Sequence, residues 1–116
     1  MSENVAATPS ADWLTMPDLV EALGEPLSRV RRLIDEHYLV GSRRTGVFAV
    51  PSVFLVDGRP LSSLRGTIIV LQDAGFSDDE LIDWLLEEEE TMGRAPIAAL
   101  REGHKSEVRR IARTLA

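Results

Sequence analysis

Among its 116 residues the sequence has no cysteine and only two histidines, His37 and His104. That shortage excludes disulfides, thiolate metal sites and thiol nucleophiles together, and it leaves two imidazoles far apart along the chain. No run approaches the roughly 20 apolar residues that a membrane-spanning helix needs. The opening MSENVAATPSAD lacks both the basic start and the apolar core of a secretory leader. A soluble, cytoplasmic protein with no membrane contact is expected. Nor is there a glycine-rich phosphate loop, a cluster of ligating side chains or a recognisable Ser/His/Asp spacing. The expectation is a protein that binds and is not an enzyme, with no cofactor and no metal.

Apolar residues still make up 44% of the chain, enough at this length for one core and too little for two. The net charge of -6 argues against a polyanionic partner only until the charges are located. Residues 1–27 hold five acids and no base. Residues 28–65 hold Arg29, Arg31, Arg32, Arg43, Arg44, Arg59 and Arg65 against Asp35, Glu36 and Asp57. Residues 66–100 are strongly acidic, with Arg94 as the one base, and 101–116 are basic again. Because charge is sorted by region, the total conceals a positive centre.

Apolar spacing at Met16, Leu19, Val20 and Leu23 predicts a helix from Met16 to Leu23. Thr15 and Asp18 sit as a capping box, Pro17 falls in the first turn and Gly24 ends the helix. A second helix follows from Pro26 to about His37. Val30, Leu33, Ile34 and His37 share its inner arc, and Ser28, Arg32 and Asp35 share the outer one, flanked by Arg29 and Arg31. Two short helices about a glycine-containing turn form a helix-turn-helix pattern.

After Tyr38, the stretches Leu39 to Arg43 and Val47 to Val50 read as a two-stranded hairpin around Arg44-Thr45-Gly46, stopped by Pro51. A further apolar run, Val53 to Val56, ends at the turn signal Asp57-Gly58. Helices are then predicted from Leu64 to Ala74, from Ser77 (paired with Glu80 as a capping box) into the run Glu87 to Glu90, from Pro96 to Leu100, and from Lys105 to Leu115. The fold class is mostly α with a small β-hairpin. Residues 1–12 are read as a disordered tail, 13–58 as a winged helix-turn-helix, and 59–116 as a helical region packed on the same core.

The segments Leu14-Thr15-Met16-Pro17-Asp18-Leu19-Val20-Glu21-Ala22-Leu23-Gly24 and Ser28-Arg29-Val30-Arg31-Arg32-Leu33-Ile34, with Leu39 and the hairpin to Val50-Pro51, resemble the excisionase and MerR-type winged helix-turn-helix. With the tail Pro96-Ile97-Ala98-Ala99-Leu100 to Val108-Arg109-Arg110, the chain is similar to a small actinobacterial family of DNA-binding proteins with a helical C-terminal extension. The resemblance implies DNA contact through the second helix and the wing, at Ser28, Arg29, Arg31, Arg32, Arg43 and Arg44. It departs from the broader pattern at Glu25-Pro26, where many relatives place a serine or threonine cap.

Within that resemblance, Arg29 and Arg32 are the candidates for reading bases, because an arginine paired to guanine is the commonest specific contact. Arg31, Arg43, Arg44 and Thr45 are placed on phosphate, which positions without reading sequence. The expected partner is double-stranded DNA, and the expected role that of a transcriptional regulator or nucleoid-associated protein. The competing reading is a protein-interaction module that uses the acidic helix Asp78 to Glu90. Gly93 and Gly103 break the chain too often for a long coiled-coil seam, so a monomer or weak homodimer is expected. Thr8, in Thr8-Pro9-Ser10, offers a hydroxyl to a regulatory kinase, and the roughly two negative charges of a phosphate would oppose DNA there.

Overall fold

The computed structural model describes residues 12–115; the tail and Thr8 fall almost wholly outside them. Strand β1 (Trp13–Thr15) runs straight into α1 (Met16–Leu23). The Thr15 N–H donates to Asp18 Oδ2 at 3.0 Å, and Gly24, at φ +66°, donates to Val20 O at 3.0 Å. Both ends of α1 are therefore closed by the residues whose chemistry suits them. Gly24, Glu25 and Pro26 turn the chain into α2 (Leu27–Asp35), which packs against α1 and buries Val30.

Helix α2 stops earlier than its periodicity suggests. His37 takes φ +68° and donates to Ile34 O at 3.1 Å, while the Tyr38 N–H reaches back to Leu33 O at 2.8 Å. This double closure is a Schellman ending with histidine at the left-handed position that glycine usually fills. His37 thus lies in the turn, half-buried, and does not extend the inner face of the helix.

The wing also differs from a two-stranded ribbon. Strand β2 (Ala49–Pro51) pairs antiparallel with β1, placing Trp13 opposite Pro51, Leu14 opposite Val50 and Thr15 opposite Ala49. Across the wing, among the described residues, a single bridge joins Ser42 and Ala49 through two hydrogen bonds of 2.9 Å. The chain is squeezed beside that bridge: a Cβ at Gly41 would stand 2.5 Å from Phe48 Cζ and 2.6 Å from Ala49 O. Three residues of β1 are too short a run to show strand alternation, so this pairing left no periodic signal.

A 3₁₀ turn (Ser52–Phe54) leads to β3 (Leu55–Val56), which pairs antiparallel with β4 (Arg59–Pro60). The turn between them has positive φ at both Asp57 (+53°) and Gly58 (+74°), the type I′ geometry that suits a two-residue hairpin.

Four helices complete the chain: α3 (Leu64–Asp73), α4 (Asp78–Leu86), α5 (Pro96–Arg101) and α6 (Lys105–Arg113). The capping box of α4 is formed, with Glu80 N–H on Ser77 Oγ at 3.2 Å and Ser77 N–H on Glu80 Oε1 at 2.9 Å. Helix α4 ends at Leu86, ahead of the glutamate run, because four like charges at a helix C-terminus face both one another and the negative end of the dipole. Glu89 instead pairs its backbone with Arg94. One apolar cluster runs through the whole molecule, from Leu19, Val30, Val50 and Phe54 to Leu64, Ile68, Leu81, Leu85, Leu100 and Val108.

Candidate nucleic-acid interface

With Val30 buried and Leu33 and Ile34 half-buried, α2 turns Ser28, Arg29, Arg31 and Arg32 outward. The three guanidiniums divide around the helix. Arg31 faces the wing and lines, with Arg43, Met16, Ile34, Asp35 and Phe48, a cleft of about 280 Å³. Arg29 faces the other way, into a groove of about 710 Å³ that it shares with Tyr38, Arg59 and the acids Glu21, Glu25 and Asp57. Arg32 stands on the crest between them, by helical spacing. Thr45 lies at the exposed wing tip, its hydroxyl turned back to Val47 O at 3.4 Å.

The arginines of the chain fall into two groups. Among the described residues, no hydrogen bond or ion pair engages the side chain of Arg29, Arg31, Arg32 or Arg43, nor that of Arg59, Arg110 or Arg113 outside the second helix and the wing. Others latch the fold. Arg65 Nε donates to Glu36 O at 2.8 Å and its guanidinium lies 5.2 Å over the Tyr38 ring. Arg101 reaches Val53 O at 2.9 Å and Leu55 O at 2.8 Å. Arg109 lies across Gly66, whose missing side chain makes room for it, and donates to Ser63 O at 2.9 Å.

Arg44, expected on phosphate, is engaged within the molecule. Its Nη1 donates to Asp83 Oδ1 at 2.7 Å, and its Nη2 to Asp79 Oδ1 at 3.0 Å and to Asp79 O at 3.2 Å. The same guanidinium sits 5.3 Å from the centre of the Trp13 ring, and the Arg44 backbone N–H donates to Ser42 Oγ at 3.0 Å. Hydrogen bonding to Asp83 holds the guanidinium above its ordinary pKa, with Asp79 adding to it. The Asp79 carboxyl is held below its ordinary range, first by the Ser42 hydroxyl and then by Arg44. Asp79 and Asp83 are a helical turn apart on one exposed face of α4. That i, i+4 spacing of carboxylates was the only trace of this contact in the sequence. Exposed pairs of this kind are screened by solvent and contribute little to overall stability, so they orient the loop rather than hold the fold.

A helix-turn-helix with a short wing, a basic outer helix face and a helical C-terminal half places the molecule among winged helix-turn-helix proteins. Residues 2–55 match the family described as DNA-binding protein Rv2175c, wHTH domain, and residues 61–116 match the Rv2175c C-terminal domain of unknown function. The chain belongs to the Rv2175c family. DNA-binding protein Rv2175c of Mycobacterium tuberculosis (strain ATCC 25618 / H37Rv) is 36% identical over 78 residues, covering 66% of this chain and 53%, about half, of that protein. The NMR structure of Rv2175c superposes with a TM-score of 0.83 at 29% identity, over 95% of this chain and 84% of that one.

Proposed function

We propose that the chain binds double-stranded DNA, with α2 in the major groove and the wing on the adjacent backbone. The observation that carries the reading is the clustering of four guanidiniums, Arg29, Arg31, Arg32 and Arg43, on the second helix and the wing of a helix-turn-helix, all without a hydrogen-bond or ion-pair partner among the described residues. Arg29 and Arg32, with Ser28 beside them, reach base edges. Arg31 and Arg43, converging on one cleft, grip phosphate together with Thr45. The name of the Mycobacterium tuberculosis relative agrees with this reading.

The activity is that of a regulator or nucleoid-associated protein rather than an enzyme, in the cytoplasm, acting as a monomer or weak homodimer. A kinase acting on Thr8 would add negative charge to the chain and weaken the complex. Among the described residues no helix is long and apolar enough to cross a membrane.

The test is a fluorescence-anisotropy titration of a labelled random-sequence duplex over a salt series, with the Arg32→Ala/Arg43→Ala variant alongside. Log affinity is expected to fall linearly with log salt, and loss of a phosphate contact to flatten the slope by about 1. Absence of binding at low salt, or an unchanged slope in the variant, overturns the proposal.

A further inference from the structure

The wing has little to hold it. One bridge, Ser42 to Ala49, closes a loop over residues 43–48, and a ribbon of that size has no orientation of its own in water. What orients it lies elsewhere in the chain. Arg44 leaves the loop and is gripped by Asp79 and Asp83 of α4, with Trp13 beneath it. On the other side of the helix-turn-helix, Arg65 in the first turn of α3 caps Glu36 O, the terminal carbonyl of α2, where the helix dipole favours a cation. Helices α3 and α4 pack on each other, and Gln72 Nε2 donates to Asp78 Oδ1 at 3.2 Å across their junction. The two anchors therefore sit on one connected pair of helices.

We propose that the α3–α4 pair is a positioning scaffold for DNA recognition, in which Arg65 holds the end of α2 and Asp79 and Asp83, through Arg44, hold the wing at a fixed angle to it. The proposal rests on the DNA-binding reading above and gives the C-terminal half a part in it. Asp79 and Asp83 are positioning residues: they never meet DNA, and they present Arg43 and Thr45 to it.

The sign of their effect separates this from simple electrostatics. Two carboxylates close to a DNA-binding loop repel phosphate, so on charge alone their removal tightens binding. As positioning residues they do the reverse, because a wing without its tether no longer delivers Arg43. Both are exposed positions on a helix that tolerates alanine, so the variant folds.

The experiment compares the full-length chain with Asp79→Ala/Asp83→Ala, with the conservative Asp79→Glu/Asp83→Glu, and with Glu87→Gln/Glu88→Gln, which removes the same charge beyond the tether. Each is titrated with the labelled random-sequence duplex over a salt series, and amide hydrogen exchange is followed at residues 43–47. The alanine variant is expected to bind about tenfold more weakly with a slope smaller by about 1, and to exchange faster in the wing while α1 and α2 stay protected. The glutamate variant keeps most of the affinity, and the glutamine control binds as tightly as the parent or more so. Tighter binding by the alanine variant, or unchanged exchange at 43–47, overturns the proposal. If the parent chain itself fails to bind the duplex, the DNA-binding reading fails separately, and the exchange data alone decide whether the tether holds the wing.

Discussion

At the scale of single residues, the side chains that matter most are the arginines, and their neighbours divide them into two kinds. Arg44 and Arg43 are adjacent in sequence, yet one is clamped by two aspartates and the other reaches into an open cleft. The Arg44 clamp has an acid limit. The folded Asp79 carboxyl titrates below the ordinary value of about 3.9, so its contribution is present above that pH and is lost as pH falls through the folded value. Arg44, raised from an already alkaline value, stays charged throughout. Acidification below about pH 4 is expected to alter the fluorescence of Trp13, with the midpoint tracking the carboxyl-carbon NMR shift of Asp79; an Asp79→Asn variant should lack that step. His37 carries a different cost. Its left-handed backbone is strained for a side chain with a Cβ, and His37→Gly is expected to stabilise the fold by about 0.5–1 kcal/mol, read from chemical denaturation.

At the scale of elements, local chemistry set most boundaries. The ends of α1 and the start of α4 follow from Thr15, Asp18, Gly24, Ser77 and Glu80, and each was readable because a cap acts within four residues of itself. Ser77→Ala is expected to destabilise the protein by about 1 kcal/mol, seen as a lower thermal midpoint, because the Glu80 N–H loses its acceptor. The wing was less readable. Val47 to Val50 is a short apolar run that does become extended from Ala49 on, but its ladder is formed with Trp13–Thr15 across the start of the helix-turn-helix, and only the single bridge from Ala49 to Ser42 joins it to Leu39–Arg43. A short apolar run reports that a segment is buried and can be extended, and it carries no record of the partner. The glutamate run failed in the opposite way: helical period continued in the sequence while repulsion ended the helix at Leu86.

At the scale of the whole molecule, the two halves share one apolar cluster and are joined by latches in both directions, Arg44 to α4, Arg65 to the end of α2 and Arg101 to Val53 and Leu55. Phe54, wholly buried, also accepts the Leu61 N–H at 2.9 Å where the halves join. A fragment of about 60 residues is already marginal on surface-to-volume grounds, and this one would also expose the faces of Leu19, Val30 and Phe54. A chain ending after Pro60 is therefore expected to show no cooperative thermal transition by circular dichroism, whereas the full chain shows one. A cooperative transition in the fragment would mean that the winged helix-turn-helix carries a sufficient core of its own.

The sequence by itself determined the helices, their caps, the regional sorting of charge and the basic outer face of α2, since each depends on residues within a turn or two of one another. Only the tertiary structure decided which arginines are engaged within the molecule and which, among the described residues, have no internal partner. That choice depends on carboxylates and carbonyls 29 to 48 residues away. Coulombic and hydrogen-bonding partners are selected by distance in space, and no local pattern in the chain encodes it.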